Sequence, residues 1–99
     1  KECIIWHGVK LHEPDWNDHS HAIAYQLIEE SGGYQYHFMV NAWWKALCFE
    51  IPPNGSWFQI VNTHLESPND FLSFGENQVE DNSYLVRPRS IVVLMSKLQ

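Results

Sequence analysis

The sequence predicts an all-β fold, an antiparallel two-sheet β-sandwich of about seven or eight short strands. The stretch 34–44, YQYHFMVNAWW, alternates along its length and is rich in the aromatic and β-branched residues that strands favour. Turn signals at 31–33 (SGG) and 52–55 (PPNG) divide the chain into short runs at the spacing typical of sandwiches. No segment shows a convincing period of 3.6, and 99 residues are enough for one domain, so residues 1–99 are expected to form a single one.

Residues 34–44 are predicted to form the central strand, with the preceding segments arranged beside it. The apolar run 3–6 predicts the first strand, and residues 22–30 alternate as a second. The glycines at 32 and 33 allow a tight turn, so 22–30 and 34–44 are expected to form a hairpin. One side of the central strand carries Tyr34, Tyr36, Phe38, Val40, Ala42 and Trp44.

Further strands are predicted at 46–51, 57–62, 83–86 and 90–95, with one short edge strand around 71–74. Only a short junction separates 46–51 from the central strand, so the two are expected to pair antiparallel. The predicted core comprises Phe38, Val40, Phe49, Ile60, Val92 and Leu94.

The charge balance excludes several kinds of partner. The chain carries twelve acidic and six basic residues, a formal net charge of −6. Nucleic acids and anionic membrane surfaces are therefore not expected as partners, because both require clustered Lys and Arg. No apolar run approaches the roughly 20 residues of a transmembrane helix. Two cysteines, Cys3 and Cys48, suit a reducing compartment, so a cytoplasmic location is expected.

The histidines do not form a convincing metal or catalytic motif. His19 and His21 have a spacing that places both rings on one face of a strand, and Asp15 or Asp18 can be drawn beside them. Surface or hydrogen-bonded histidines are the stronger interpretation, because no second ligand pair has a recognised spacing. Ser20 lies between the histidines without a nucleophile elbow around it. We therefore predict no metal, no cofactor and no catalytic residue in this chain.

The tryptophans provide the candidate contact residues. Trp43 and Trp44 are consecutive, so a regular strand cannot bury both on one face and one ring must leave the core. Such a ring can pack against another domain or stack on the apolar face of a sugar. The possible glycan or domain contacts are Trp43, Trp44 and Trp16, the last in a loop.

Six short motifs occur in an order that points to a family. They are WHG at 6–8, PDW at 14–16, SHAIAYQL at 20–27, NAWW at 41–44, FEIPP at 49–53 and RPRSIVVL at 87–94. Together they cover nearly the whole chain, which resembles the C-terminal β domain of isoamylase-type glycogen debranching enzymes of the α-amylase superfamily. One departure is Asn62-Thr63, where the family commonly has Asp-Thr.

The resemblance implies a parent glycoside hydrolase that cleaves α-1,6 branch linkages in glycogen or a similar α-glucan. Its catalytic carboxylates belong to a (β/α)₈ barrel of about 250 residues, which this chain cannot contain. The chain lacks an initiator Met and begins almost directly in a strand, so it is expected to be excised from a larger enzyme. Two hypotheses remain open: an accessory domain that docks on and stabilises the barrel, and a carbohydrate-binding module that contacts α-glucan through exposed Trp.

Overall fold

The computed structural model of the chain describes residues 2–7, 9–11, 21–53, 55–64, 70, 75 and 78–98. These residues form eight β-strands and confirm the predicted all-β sandwich. The strands are β1 Glu2–His7, β2 Ala22–Glu29, β3 Tyr34–Asn41, β4 Leu47–Glu50, β5 Trp57–Asn62, β6 Gln78–Val79, β7 Ser83–Val86 and β8 Ser90–Lys97.

Two antiparallel sheets make up the sandwich. The large sheet has six strands in the order β1-β2-β3-β8-β5-β6, and the small sheet pairs β4 with β7. The predicted hairpin of β2 and β3 is confirmed, and Gly33 closes it with a φ of 78°, a left-handed conformation that suits a residue without Cβ. β3 lies inside the sheet as predicted, and a bulge between Gln59 and Val61 interrupts the pairing of β5 with β8.

The predicted pairing of the 46–51 strand with the central strand is wrong. β8 pairs with β3 along its whole length, from Tyr34 opposite Lys97 to Asn41 opposite Ser90, so no free edge of β3 remains for β4. The chain turns out of the large sheet after Asn41, and β4 pairs with β7 instead. The predicted edge strand at 71–74 lies outside the described residues.

The core lies between the two sheets. Phe49 of β4 and Val86 of β7 are fully buried and cluster with residues of the large sheet. Phe49, Val92 and Leu94 are each 0% exposed, which confirms their assignment to the core. Phe38, Val40 and Ile60 are only partly buried, so their assignment to the core is wrong. The buried side of β3 instead carries Gln35, His37, Met39 and Asn41.

Candidate functional site

The face of the large sheet that points away from β4 and β7 is almost entirely apolar, and we call it the outer face. Register aligns its side chains in three rows across the strands, because residues paired in an antiparallel sheet point to the same side. The first row includes Ile23, Val40 and Ile91, and the second is centred on Phe38. On β2, β3, β5 and β8 the outer face comprises Ile23, Tyr25, Leu27, Tyr36, Phe38, Val40, Phe58, Val61, Ile91, Val93 and Met95.

Most of these side chains are neither fully buried nor fully exposed. Ile91 is 41% exposed, Val93 is 6% exposed, and the other nine are partly buried by their neighbours on the sheet. The rings of Tyr25 and Phe38 stack with their centroids 4.6 Å apart and their planes 11° apart. Tyr36 lies 6.3 Å from Phe38 at a tilt of 40°. Such ring contacts restrict the orientations of these side chains, so the outer face presents packed aromatic and aliphatic groups.

Among the residues that the structure describes, the three rows contain no charged side chain. A fourth row at the end of the sheet aligns Glu29, Tyr34 and Lys97, and two of these three side chains are charged. The four strands β2, β3, β8 and β5 lie about 4.8 Å apart, and the three rows lie about 6.8 Å apart. The area without charged side chains is therefore about 14 Å wide in each direction, measured between Cα atoms. No described element covers it. Uncovered apolar areas of this kind typically mark a surface that contacts another molecule or domain.

The inner face, which β4 and β7 cover, is mixed, because it carries buried polar side chains beside the apolar core. Its nine buried polar residues are His7, Gln26, Gln35, His37, Asn41, Gln59, Asn62, Ser90 and Ser96. Gln26 donates a hydrogen bond of 2.8 Å to Gln35 Oε1, and its own Oε1 lies 3.2 Å from His7 Nε2. Since Gln26 Oε1 can only accept, His7 Nε2 is the donor. Hydrogen bonding of this kind makes a polar interior tolerable.

His37 is a neutral residue of this interior. Its Nε2 lies 3.2 Å from the carbonyl oxygen of Glu50, which can only accept, so Nε2 carries the proton. The ring lies 5.5 Å from that of His7. Burial, together with the nearby His7, lowers the pKa of His37 from 6.5 to about 4, against the hydrogen bond to Glu50, which raises it. Because the ring is 0% exposed, it is a structural group and offers no accessible acid or base.

The turn after β3 presents the predicted tryptophans at the end of the large sheet. Asn41 is 1% exposed and its Nδ2 donates to the carbonyl oxygens of Lys45 and Val86, each at 3.0 Å. Its Oδ1 accepts a 2.9 Å hydrogen bond from the backbone N–H of Trp43. One buried amide therefore ties both ends of this turn to β7.

His21, Trp43, Trp44 and Lys45 form what we call the tryptophan corner. The Trp43 ring is partly buried against His21, with centroids 4.2 Å apart, whereas Trp44 is 64% exposed. The prediction that one of the two rings leaves the core is confirmed, and Trp44 is that ring. Lys45 Nζ lies 4.7 Å from the centroid of the Trp44 ring, a cation–π distance. Trp16 lies outside the described residues.

The remaining candidates give no site within the described part of the chain. No group of three potential metal ligands lies together among the described residues, and His19, Asp15 and Asp18 fall outside them. The described residues also contain no helix long and apolar enough to cross a membrane.

Sequence reasoning missed the outer face because the aromatic side of β3 was assigned to the core. A signal was available, since residues 34–41, YQYHFMVN, include no charged residue on either side. A solvated side of a strand usually carries Lys, Glu, Arg or Asp. Their absence from both sides is a pattern typical of strands that are covered on both faces.

Fold and surfaces define an all-β sandwich domain in which the described elements cover the large sheet on one face only. Residues 5–94 match the family described as "Isoamylase 1-3, C-terminal", and the chain belongs to this family of isoamylase C-terminal domains. The chain is also similar to the chloroplastic isoamylase SU1 of Zea mays, with 29% identity over 76 residues. That alignment covers 75% of this chain and 10% of the maize protein, so the chain corresponds to about a tenth of that relative's length. The resemblance inferred from the motifs is thereby confirmed.

Proposed function

We propose that the chain is a non-catalytic accessory domain of a glycogen or α-1,6-glucan debranching glycoside hydrolase. In this role it docks on the catalytic (β/α)₈ barrel of the same parent chain through the outer face and stabilises it. The observation that carries the proposal is the charge-free outer face, in which eleven side chains lie on one side of a six-stranded sheet. The parent's carboxylates belong to the barrel, so the 99-residue chain alone is expected to hydrolyse no glucan.

The size of the outer face suits an interface within one chain. With side chains extending past the outermost Cα atoms, a square of about 14 Å grows to about 20 Å, or about 400 Å² per partner. Both partners together then bury about 800 Å², within the 600–1,500 Å² typical of contacts between domains. At about 25 cal/mol per Å² of apolar area, such burial favours docking substantially before ordering costs are subtracted. No charge within the three rows has to be desolvated.

Family membership supports the choice of partner. The family consists of C-terminal domains of isoamylases, and the aligned region is only 10% of the maize isoamylase. The rest of such a chain is covalently linked to this domain, so its effective concentration at the outer face is higher than that of any separate protein. The maize relative is named chloroplastic. A cytoplasmic location for this chain remains our prediction.

Two exposed aliphatic residues on different sheets provide a matched test. Ile91 is 41% exposed on the outer face, and Leu85 is 48% exposed on β7 of the small sheet. We expect Ile91→Glu in the full parent enzyme to lower the thermal midpoint of the barrel, because docking would bury an unpaired carboxylate. Leu85→Glu should leave that midpoint unchanged.

Measurements on the 99-residue chain provide the control. Both substitutions replace exposed side chains, so each should alter the chain's own free energy of unfolding by no more than about 0.5 kcal/mol. An equal effect of Ile91→Glu and Leu85→Glu on the parent enzyme would reject the outer face as the docking surface.

A further inference from the structure

We propose that the tryptophan corner is a separate binding site for a neutral α-glucan, with Trp44 as the stacking platform. The choice of an α-glucan as ligand depends on the proposed debranching function of the parent. The site itself is inferred from the geometry of the turn after β3, where one buried amide holds the backbone on both sides of an exposed ring.

The rigidity of the turn is the first argument. Asn41 is buried at the end of β3, and its side chain bonds backbone groups of Trp43 and Lys45 in the turn and of Val86 and Arg87 at the end of β7. A second tie comes from the backbone N–H of Arg89, which donates to the carbonyl oxygen of Trp43 at 3.2 Å. A large apolar side chain on an ordinary surface turn needs no such support. A platform that stacks on a ligand benefits from it, because a turn whose backbone is already ordered loses less entropy on binding.

The chemistry of the corner is the second argument. The Trp44 ring is 64% exposed, and the Trp43 ring lies 6.0 Å away at a tilt of 31°. A flat aromatic ring suits the C–H face of a pyranose, whose hydroxyl groups project from its edge. The Lys45 ammonium lies over one face of the Trp44 ring, 4.7 Å from its centroid. A pyranose stacks on that face once the flexible lysine swings to the rim of the ring, where its N–H groups can donate to the hydroxyl oxygens.

The charge of the chain narrows the ligand class. A net charge of −6 disfavours nucleic acids and other polyanions, even beside Lys45. A neutral polyhydroxylated chain is not repelled. The corner also lies on the turn beyond β3, outside the eleven side chains of the outer face, so glucan binding and docking use different residues.

Titration of the ¹⁵N-labelled 99-residue chain with maltoheptaose tests the site. The indole N–H signal of Trp44 should shift with increasing sugar, and Trp44→Ala should weaken binding about tenfold, the loss expected for one stacked aromatic ring. Trp44→Phe should lose less, and Lys45→Ala should weaken binding about two- to threefold. Cellopentaose, a β-linked glucan, should bind more weakly than maltoheptaose.

Two controls separate this site from the docking face. Leu85→Ala removes another exposed apolar side chain and should leave maltoheptaose binding unchanged. Trp44→Ala should also leave the thermal midpoint of the parent enzyme unchanged, whereas Ile91→Glu lowers it. Unchanged sugar affinity in Trp44→Ala, equal affinity for the two glucans, or no shift at all would overturn the proposal. A loss of parent stability in Trp44→Ala without loss of sugar binding would assign the corner to docking instead.

Discussion

On the large sheet, the covered inner face is the more polar of the two faces, although it also carries the apolar core. The covered inner face carries nine buried polar side chains, whereas the outer face carries eleven predominantly apolar ones. On β2 and β3 the difference appears between neighbours in sequence, since Gln26 and His37 point inward and Leu27 and Phe38 point outward. An apolar outer face of this kind is typical of a sheet that contacts another domain.

The contrast shows that hydrophobicity alone does not identify the inner face of a sheet. Buried polar residues are stable where each finds a partner, as Gln26 does with Gln35 and Asn41 does with the turn after β3. Directional bonds from His37 to Glu50 and from Asn41 to Val86 connect the large sheet to β4 and β7. The outer face needs no such bonds, because its side chains are expected to fit against the barrel by shape and apolar contact.

Truncation of one phenylalanine on each face should give the largest difference. Phe49→Ala empties a site that is 0% exposed between the sheets and should reduce the free energy of unfolding by about 3–5 kcal/mol. Phe38→Ala removes a partly buried ring from the outer face and should cost the 99-residue chain about 1–2 kcal/mol. Urea unfolding of both variants measures this, and equal losses would mean that the outer face is already covered within the chain.

The inner face should also make stability depend on pH. The pKa of His37 is lowered to about 4 in the folded chain, below the 6.5 of the unfolded one, so the unfolded state binds more protons between these values. The contribution of His37 to the free energy of unfolding is therefore fully present above pH 6.5 and is lost as the pH falls towards 4. The total loss is about 3 kcal/mol, of which about 2 kcal/mol is lost by pH 5.

Replacing His37 isolates this effect from the carboxylates that titrate near pH 4. His37→Leu should show a shallower loss of unfolding free energy between pH 7 and pH 5 than the wild-type chain. His64→Leu, the same replacement at an exposed position, serves as the control. Parallel profiles for His37→Leu and the wild-type chain would show that His37 is not held neutral by burial.

A reciprocal exchange at adjacent positions should give the smallest difference. Gln26→Leu makes the inner face more apolar but removes the hydrogen bonds to His7 and Gln35, so it should cost about 1–3 kcal/mol. Leu27→Gln places an amide on the partly exposed outer face and should cost the 99-residue chain about 1 kcal/mol or less. Thermal unfolding of both variants checks the order, which would be reversed if the polar side of β2 were the solvated one.

Much of the fold could be predicted from local patterns. Strands β5 and β7 were placed at their observed bounds, and the β2–β3 hairpin followed from the glycines at 32 and 33, because such signals depend on a few adjacent residues. The pairing of β4 with β7 could not be predicted. It depends on β8 occupying the edge of β3, a contact between residues about 60 positions apart in sequence.

The sequence predicted the exposed tryptophan but not the outer face, because the outer face also depends on contacts between residues far apart in sequence. The Trp43-Trp44 pair showed by alternation alone that one ring must leave the core. Alternation in β3 separates its two sides but does not say which one β4 and β7 cover. That choice depends on hydrogen bonds such as that from His37 to the carbonyl of Glu50, which exist only after the sheets have come together.

Hydroxyl-radical footprinting of the parent enzyme and of the 99-residue chain tests the central claim most directly. Docking through the outer face predicts that Tyr36, Phe38 and Met95 are oxidised several-fold more slowly in the parent enzyme than in the chain alone. Leu85 on the small sheet should react equally in both, since no role in docking is assigned to it. Equal oxidation of Tyr36, Phe38 and Met95 in the two proteins would contradict docking through the outer face.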